Sequence, residues 1–467
     1  MGHKGIWMAM KKNDLIELTI TGMTLQGDGI GRQDGVPVFV PGTCPGDCVK
    51  ALILKAKPNC AFGKCAEILT PSPDRTDPRC GAFPRCGGCA FRHIDYAAEL
   101  EIKRREAGET LRRIGGVEID LEPILGAENP ERYRNKAMLP VYVEQGRIRA
   151  GYYARHSHRV VYSDDCRLQP ELFNRLAQAV CAWAEEAGCS VYDETAHRGL
   201  LRHIYLRQSQ DGSQLLACLV VNGQGIPRAD LLVARLRAES PAVKGILLNH
   251  NREDTNVVLG PEETLLWGEG HITERLCGLE FTLSPQSFFQ VNPAQAERLY
   301  RLAGEYAGLT GRERVLDLYC GTGTIGLTMA RGCAKLVGVE MVPQAVEDAR
   351  RSAAHNGITN ARFLCMDAAE AAAQLAGEDW RPDVVLLDPP RRGCEPALLR
   401  TVAEMRPGRV VYISCDPATL ARDLKLLRKL GYGARRIAPV DMFPRTGHVE
   451  MIALLLPLVA CGDIPPQ

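Results

Sequence analysis

The last part of the chain alternates short apolar runs with amphipathic segments, and this pattern narrows the possible folds more than any other feature. From residue 281 the apolar runs read ERVLDLYC, KLVGVEM, ARFLCM, DVVLLD, RVVYIS, ARRIAPVDM and HVEMIALLLP. Strands that alternate with helices build a parallel, doubly wound sheet, because each helix carries the chain back to start the next strand. The sequence therefore predicts a Rossmann-like α/β domain over 281–458, with ligands bound at the carboxyl ends of its strands.

Two further regions are expected before this domain, since 467 residues are many for one domain. Residues 12–70 hold short strands joined by Gly and Pro turns, one of them at 27–31, and predict a closed β-barrel of the OB kind. Residues 71–280 mix short strands with helices and predict an α+β central domain. A helix at about 95–114 belongs to this region, and we expect that it packs on the α/β domain.

Composition limits the partners and the compartment. The formal net charge is +1, so basic contacts must come from local runs such as 103–105, 112–113 and 435–436, which we interpret as solvated helix faces or strand ends. The N-terminus has no apolar signal core and no apolar run is long enough to span a membrane. The 18 cysteines are therefore interpreted as thiols of a cytoplasmic protein without membrane contact.

A glycine-rich turn follows the first strand of the α/β domain. Its glycines are Gly321, Gly323 and Gly326, and such a turn lets the backbone approach a ligand at the start of the next helix. The second strand ends in Glu340, about twenty residues further on, where a carboxylate can bind two ribose hydroxyls. Together these features predict a nucleoside site, and the loop alone still allows a nicotinamide cofactor. Asp367, at the end of the third strand, can accept from an adenine amino group.

The fourth strand ends in Asp388-Pro389-Pro390. This segment is similar to the fourth-strand motif of S-adenosylmethionine-dependent methyltransferases. The similarity implies that Asp388 lies near the methionine end of the cofactor or near the target base. An acidic strand end before a Pro-Pro turn is the simpler structural interpretation of the same residues.

A cysteine, Cys415, follows the fifth strand at the point where ligands bind. An unactivated carbon such as C5 of uracil cannot attack a sulfonium methyl group directly. A thiolate that adds to C6 makes C5 nucleophilic, and a general base must later remove the C5 proton. We therefore predict that Cys415 is the nucleophile and that Glu450, at the start of the last strand, is the base. The simpler alternatives are a buried structural thiol and a charged residue at a strand end.

Three further cysteines lie close together in CGAFPRCGGC, which we call the cysteine loop (residues 80–89). Cys80, Cys86 and Cys89 are too near one another for core packing, and their chemistry fits either zinc or an iron–sulfur cluster with a fourth cysteine from elsewhere. A rival set of thiols, at positions 44, 48, 60 and 65, falls on or between strands of the barrel and is interpreted as packing.

These motifs resemble the RNA uracil-C5-methyltransferase family, in the bacterial branch that modifies 23S ribosomal RNA. SCDPATLARDL and GHVEMIALL resemble its nucleophile and base motifs, and SFFQVN resembles the segment that supplies a glutamine to the cofactor. The N-terminal barrel resembles a TRAM domain, which binds RNA. Asp416 stands where relatives often have asparagine.

The resemblance implies specific roles for individual residues. The residues implied to bind S-adenosylmethionine are Gln290, Tyr319, Glu340 and Asp388. Phe288 is implied to stack on a flipped uracil, and Cys166 to complete a [4Fe–4S] cluster with the cysteine loop. The target carbon is inaccessible in a stacked helix, so the uridine must lie in a loop or be flipped out. The segment that offers phosphate or base contacts contains Arg132, Arg134 and Lys136.

Other functions fit parts of this pattern. A 5-methylcytosine enzyme would carry a cysteine where Arg391 follows the Pro-Pro turn. A transfer-RNA uracil enzyme would use the same chemistry on another substrate. A non-catalytic RNA-binding or folding factor would need only the barrel and the cysteines. We predict a monomeric 23S ribosomal RNA (uracil-C5)-methyltransferase.

Overall fold

The computed structural model of the protein describes residues 10–378 and 380–458. Its N-terminal part is a closed barrel with the strand order β1-β2-β3-β5-β4. The strands are β1 (Leu15–Met23), β2 (Asp28–Gln33), β3 (Val36–Pro41), β4 (Cys48–Lys57) and β5 (Cys60–Thr70). Alternate residues of these strands, among them Ile20, Val40 and Ile53, fill the barrel interior.

The prediction of a turn at 27–31 is wrong for residues 28–31. Gly27 has φ +87° and ends the turn, but β2 begins at Asp28 and includes Gly29 and Gly31. A Cβ on Gly29 would lie 2.0 Å from Thr43 Oγ1, so close packing inside the barrel, and not a turn, requires this glycine.

The central domain is built on a seven-stranded sheet with the order β12-β11-β10-β9-β6-β7-β8. Its strands are β6 (Lys136–Glu144), β7 (Arg147–Tyr153), β8 (Val160–Tyr162), β9 (Leu201–Gln208), β10 (Leu215–Val221), β11 (Val243–His250) and β12 (Glu262–Gly268). Its helices are α1 (Tyr96–Thr110), which continues as a π-helical turn (Leu111–Gly115), α2 (Glu171–Glu186) and α3 (Ala229–Glu239). A separate hairpin follows, formed by β13 (Ile272–Leu276) and β14 (Leu279–Leu283). Among the described residues, no helix combines the length and the apolar character needed to cross a membrane.

The C-terminal domain has the predicted strand–helix alternation. Its strands are β15 (Arg314–Leu318), β16 (Lys335–Glu340), β17 (Ala361–Cys365), β18 (Val384–Leu387), β19 (Arg409–Ser414), β20 (Tyr432–Val440) and β21 (Glu450–Pro457). Its helices are α4 (Pro293–Ala307), α5 (Thr324–Met329), α6 (Pro343–His355), α7 (Ala368–Gly377), α8 (Pro396–Glu404) and α9 (Pro417–Lys429). A 3₁₀ turn (Ala330–Gly332) follows α5. The sheet order is β17-β16-β15-β18-β19-β21-β20, and the strand order reverses between β15 and β18, which is where open α/β sheets bind ligands.

Helix α1 is attached to the C-terminal domain by a group of buried charges that we call the ion cluster: Glu99, Lys103, Asp441 and Arg445. Lys103 is fully buried, and its Nζ lies 2.8 Å from Glu99 and 2.7 Å from Asp441. The Tyr96 hydroxyl donates to the second oxygen of Asp441 at 2.7 Å. The expectation that residues 103–105 form a solvated face is therefore wrong for Lys103, because this side of the helix faces Asp441.

Candidate active site

The pairing of β19 with β21 brings the predicted nucleophile and base together. The two strands are antiparallel, and the last pair in register is Ser414 with Met451. One residue further, Cys415 follows β19 and stands opposite Glu450, which begins β21. Directly opposite residues of an antiparallel pair project to the same face, with Cβ atoms roughly 5 Å apart. The half-buried Cys415 and the buried Glu450 therefore share one end of the sheet.

Local structure fixes the position of Cys415. Asp416 caps helix α9, because its Oδ1 accepts hydrogen bonds from Ala418 N at 2.8 Å and Thr419 N at 2.9 Å. Pro417 occupies the first helical position, where its missing N–H costs nothing. The cysteine is thus held between the end of a buried strand and the start of a capped helix. An aspartate at position 416 performs this capping role as well as an asparagine would.

The thiol of Cys415 is not activated by the chain alone. Its pKa is raised to about 11 by burial and by the neighbouring carboxylates of Glu450 and Asp388, and Arg391 opposes this shift. A thiolate at neutral pH therefore requires an additional positive charge at this site.

Three carboxyl groups lie near this site: Glu450 and Asp317 are buried, and Asp388 is half-buried. Burial, together with the nearby Asp388, raises the pKa of Glu450 to about 8, against the effect of Arg391. Burial also raises the pKa of Asp388 to about 7. In Asp317, burial first and then Asp388 raise the pKa to about 8. Several acids that repel one another in a buried site form a pocket suited to a cation.

The first two glycines of the glycine-rich loop are required for different reasons. Gly321 has φ +56°, and a Cβ there would meet no atom within 4 Å, so the space beside it is open. At Gly323, with φ +80°, a Cβ would crowd Leu327 and two further side chains at 3.1–3.2 Å. The loop is fastened to the next strand, because Gly321 N donates to Glu340 Oε2 at 3.1 Å. Tyr319 also has a positive φ of +66°, which turns the chain sharply out of β15.

The SFFQVN segment lies where the central domain meets the crevice. Arg207, a buried residue of β9, donates to the carbonyl groups of Ser284 and Ser287, both at 2.7 Å. The segment keeps Phe289 in the core and leaves the Phe288 side chain 66% exposed. Gln290 is half-buried, and its carbonyl accepts from Asn135 Nδ2 at 3.3 Å. This alternation presents one aromatic ring outward while the next anchors the segment.

A cleft of about 640 Å³ runs from Cys415 across the domain boundaries. The C-terminal domain contributes Arg391 and residues 446–449. The barrel contributes its β1–β2 turn and residues 41–42, and the central domain contributes part of the cysteine loop, Arg134 and Arg155. Three arginines and no carboxylate other than Asp416 line this cleft, which makes it suitable for a polyanion.

The three predicted RNA contacts occupy different environments. Arg134 lines the cleft, with its guanidinium 6.0 Å above the Phe443 ring. Lys136 is largely buried, and its pKa is lowered to about 8 by burial, by Arg207 and by Arg134. The Arg132 guanidinium donates to the carbonyl groups of Cys166 and Gln169 and to the Asp165 carboxylate, so it fixes the loop that carries Cys166.

The cysteine loop and Cys166 meet at one corner of the central domain. Burial raises the pKa of three of these thiols, that of Cys89 to about 12, and the charges of neighbouring thiols add to the effect. Arg92 Nε donates to Cys89 Sγ at 3.5 Å, and Gly88 N donates to Cys86 Sγ at 3.3 Å. Over residues 10–378 and 380–458, however, no group of three or more His, Cys, Asp or Glu side chains is arranged to hold a metal ion. The described residues therefore do not show the predicted metal centre.

Some residues near the crevice were not predicted from the sequence. Asp317 accepts from Gly326 N at 3.0 Å through Oδ2, while its buried Oδ1 has no partner. Met341 and Val342, exposed by 66% and 50%, follow Glu340 directly and form an apolar edge beside it. Two sequence features could have identified these residues: Asp317 is an acid just before the glycine-rich turn, and Met341-Val342 is an apolar pair just after Glu340. Predicted Asp367 caps helix α7, where its Oδ1 accepts from Ala369 N at 2.8 Å.

The glycine-rich loop, the acid that ends β16 and the Asp-Pro-Pro turn after β18 surround the strand-order reversal of a seven-stranded sheet, and together they define a class I methyltransferase. The family described as tRNA (Uracil-5-)-methyltransferase matches residues 269–457, and the TRAM domain matches residues 11–66. RNA methyltransferases described as uncharacterized, from Clostridium tetani and Halalkalibacterium halodurans, are 42% and 41% identical to this chain. These alignments cover 96% of this chain and 97% and 98% of the relatives. The chain belongs to the RNA uracil-C5-methyltransferase family.

A solved structure shares the whole architecture. The tRNA (uracil-54, C5)-methyltransferase of Pyrococcus abyssi, in complex with S-adenosyl-L-homocysteine, is 27% identical with a TM-score of 0.75. The match covers 94% of this chain and 100% of that chain. The predicted fold class and the TRAM barrel are thereby confirmed.

Proposed function

We propose that this protein transfers a methyl group from S-adenosylmethionine to C5 of a uridine in RNA, with Cys415 as nucleophile and Glu450 as general base. The observation that carries the proposal is the antiparallel pairing that brings Cys415 opposite Glu450 at the crevice. Few structural reasons exist for a buried carboxyl beside a half-buried thiol, whereas covalent activation of C5 requires both groups.

The residues act in a fixed order. The Cys415 thiolate adds to C6 of the uracil, and the electron pair moves to C5 and O4. C5 then takes the methyl group and still carries its proton; the bond between this methyl group and the sulfonium sulfur would break, which leaves a neutral thioether. Glu450 removes this proton, the C5–C6 double bond forms again, and the Cys415–C6 bond breaks to return the thiolate. Arg391 lies in the cleft and lowers the pKa of both groups, which favours the ionised forms that these steps need.

The cofactor is proposed to lie along the glycine-rich loop. It would supply an electrophilic methyl group on a positively charged sulfur. The proposed binding residues are Gln290, Tyr319, Gly321, Gly323, Glu340, Asp388 and Asp367. The relative from Pyrococcus abyssi holds S-adenosyl-L-homocysteine, which supports this choice. The cluster of buried carboxyls around Asp388 suits a cationic sulfur, and that charge would in turn lower the pKa of Cys415.

RNA is proposed to enter through the cleft between the barrel and the crevice. Phe288 offers an exposed ring on which an unstacked base can stack. Arg134 is suited to a phosphate or base contact in the cleft, and the charge of Lys136 is close enough to interact with that of Arg134. We assign Arg132 a weaker contribution, because its guanidinium already binds the Cys166 loop.

We further propose that the cysteine loop holds a [4Fe–4S] cluster through Cys80, Cys86, Cys89 and Cys166. The proposal rests on the chemistry of the donors and not on a formed metal position: these four thiols influence one another's pKa, and two of them receive N–H donors, as cluster sulfurs commonly do. The proposed chemistry passes no electrons through this site, so its role is structural. Protein purified without oxygen should contain about four irons per chain. Stoichiometric zinc without iron would refute the assignment.

The substrate proposed is 23S ribosomal RNA in the cytoplasm, with transfer RNA as the second candidate. The TRAM barrel together with four cysteines supports the ribosomal substrate, whereas the Pyrococcus abyssi relative is a transfer-RNA enzyme. Mass-spectrometric mapping of 5-methyluridine in cells with and without the gene separates the two. Loss from 23S ribosomal RNA alone supports the first candidate, and loss from transfer RNA the second.

A trapping experiment tests the chemistry. RNA that carries 5-fluorouridine has no C5 proton to remove, so the wild-type protein should form a complex that survives denaturant. Cys415→Ala should abolish this complex. Cys365→Ala is the matched control, because Cys365 is an exposed thiol that ends another strand at the same edge of the sheet. A complex that persists without Cys415 would exclude the proposed nucleophile.

A further inference from the structure

The cysteine loop is joined to the segment that leads into Glu450. This segment, residues 441–449, connects β20 to β21 and is called the β20–β21 loop. Its Arg445 carbonyl accepts hydrogen bonds from Ala90 N at 2.8 Å and from Phe91 N at 3.1 Å, directly after the last cysteine of the cysteine loop. Two parts of the chain that are more than 300 residues apart are thus joined by two backbone hydrogen bonds.

Side-chain contacts also connect the end of the cysteine loop to the β20–β21 loop. Arg92, whose side chain is only 3% exposed, donates from Nε to Cys89 Sγ at 3.5 Å. Its Nη1 donates to both oxygens of Glu131 at 3.1 Å. The same carboxylate forms an ion pair with Arg445, with 3.7 Å between Glu131 Oε1 and Arg445 Nε. Glu131 therefore lies between a guanidinium that follows the cysteine loop, that of Arg92, and a guanidinium of the β20–β21 loop, that of Arg445.

Arg445 is held in place within the β20–β21 loop by its own backbone conformation and hydrogen bonds. Its backbone has φ +69°, a conformation that a non-glycine residue adopts only when its surroundings hold it. Its N–H donates to Glu99 Oε1 at 2.7 Å, and its Nη1 donates to Ile94 O at 2.9 Å. The next four residues, 446–449, line the cleft with Cys415, and Glu450 follows directly.

We propose that Arg92 and Glu131 are positioning residues for Glu450, through the contact of the cysteine loop with Arg445. This inference rests on the proposed role of Glu450 as the base. Arg92 and Glu131 touch neither the uridine nor the methyl donor in this scheme. They fix the start of β21, so that the carboxylate reaches the C5 proton after methyl transfer.

The test uses Glu131→Gln, which keeps the shape of the side chain and removes its charge. Glu122→Gln is the matched control, since Glu122 pairs with Arg436 of β20 and its side chain is 29% exposed, against 28% for Glu131. Two measurements are made on the full-length protein. The first is the amount of denaturant-resistant complex with ordinary uridine RNA and with 5-fluorouridine RNA. The second is hydrogen exchange of the amides of residues 441–449.

In Glu131→Gln, we expect several-fold more covalent complex on ordinary uridine RNA, because proton removal is slowed. Trapping by 5-fluorouridine should stay at the wild-type level, and exchange in the β20–β21 loop should be faster. Arg92→Lys, whose single nitrogen replaces the separate contacts of Nε with Cys89 and of Nη1 with Glu131, should behave in the same way, and Glu131→Asp should restore part of the release. Glu122→Gln should match the wild type in every measurement.

The experiment distinguishes failure of the proposed covalent function from failure of the proposed positioning role. If the wild-type protein forms no 5-fluorouridine complex, the proposed covalent function fails. If it does form the complex, but Glu131→Gln and Arg92→Lys release product and exchange amides like the wild type, the positioning role is overturned. Equal slowing of adduct formation and release would also overturn it, since that result indicates general damage to the fold.

Discussion

The crevice and the ion cluster both join distant parts of the chain, but they do so by different physical means. In the crevice, the backbone hydrogen bonds of one sheet bring Cys415 opposite Glu450. In the ion cluster, Lys103 from helix α1 lies between Glu99 and Asp441 with no exposed surface. A sheet register can be inferred from strand order, whereas a buried salt bridge between domains depends on side-chain packing. We infer that the first region is optimised for chemistry and the second for holding the domains together.

This difference predicts that the crevice can lose its function without losing its fold. Glu450→Gln should slow release of the methylated product by about 10²–10⁴-fold and accumulate covalent RNA, because the C5 proton then has no base. Thermal stability at pH 8 should be unchanged or higher, since burial raises the pKa of the Glu450 carboxyl to about 8. Denaturing gels and a thermal melt measure the two effects.

The double variant Cys415→Ala/Glu450→Gln is the control for this prediction and should form no covalent complex. Wild-type turnover by Glu450→Gln would show that another group, such as Asp388 or a water molecule, is the base. A strong loss of stability would show that the crevice and the ion cluster do not differ as we infer.

The ion cluster should behave in the opposite way. Lys103→Met removes the ammonium group that lies between Glu99 and Asp441, so two buried carboxylates each lose a charged partner and the free energy of unfolding should fall by about 3–5 kcal/mol. Arg104→Met, on the next residue of the same helix, breaks a pair with Glu101 that is 39% and 60% exposed. Its cost should be less than about 1 kcal/mol. Urea unfolding of both variants measures the difference, and equal losses would contradict the assigned role of burial.

The sequence predicted the crevice better than its surroundings. Strand periodicity and the known preference of ligands for carboxyl strand ends were enough to group Glu340, Asp388 and Cys415, since all three directly follow or end their strands. Tertiary contacts were not visible in any local pattern. Lys103 belongs to a basic run that is typical of a solvated helix, and only the position of Asp441, over 300 residues away, makes it a buried residue.

Two glycines and two arginines also show that a local sequence pattern does not predict tertiary contacts. Gly29 and Gly31 form a turn-like pattern, yet they lie in a strand because the barrel interior leaves no room for a Cβ at Gly29. Arg132 was grouped with Arg134 as an RNA contact from its position in one short segment. The structure separates them, because Arg132 binds the backbone of the Cys166 loop while Arg134 lines the cleft.

The smallest expected effect concerns the charge balance of the crevice. The pKa values of Asp317, Asp388 and Glu450 are raised to between about 7 and about 8, mainly by burial, so the folded protein without cofactor holds protons that the unfolded chain has lost above about pH 5. The free energy of unfolding should therefore fall as the pH rises from about 5 to 8. A sulfonium cation favours the ionised carboxyls, so its binding should release protons and strengthen over the same range.

S-adenosyl-L-homocysteine, which lacks the methyl group and therefore has a neutral sulfur, provides the comparison. Calorimetry at pH 6 and pH 8 should show that the affinity for S-adenosylmethionine, relative to S-adenosyl-L-homocysteine, increases several-fold with pH. Asp388→Asn should reduce this increase, because it removes one of the carboxyls that titrate over this range. Ratios that do not change with pH would mean that the buried acids serve the fold and not the cation. The crevice would then resemble the ion cluster, and the distinction between the two regions would fail.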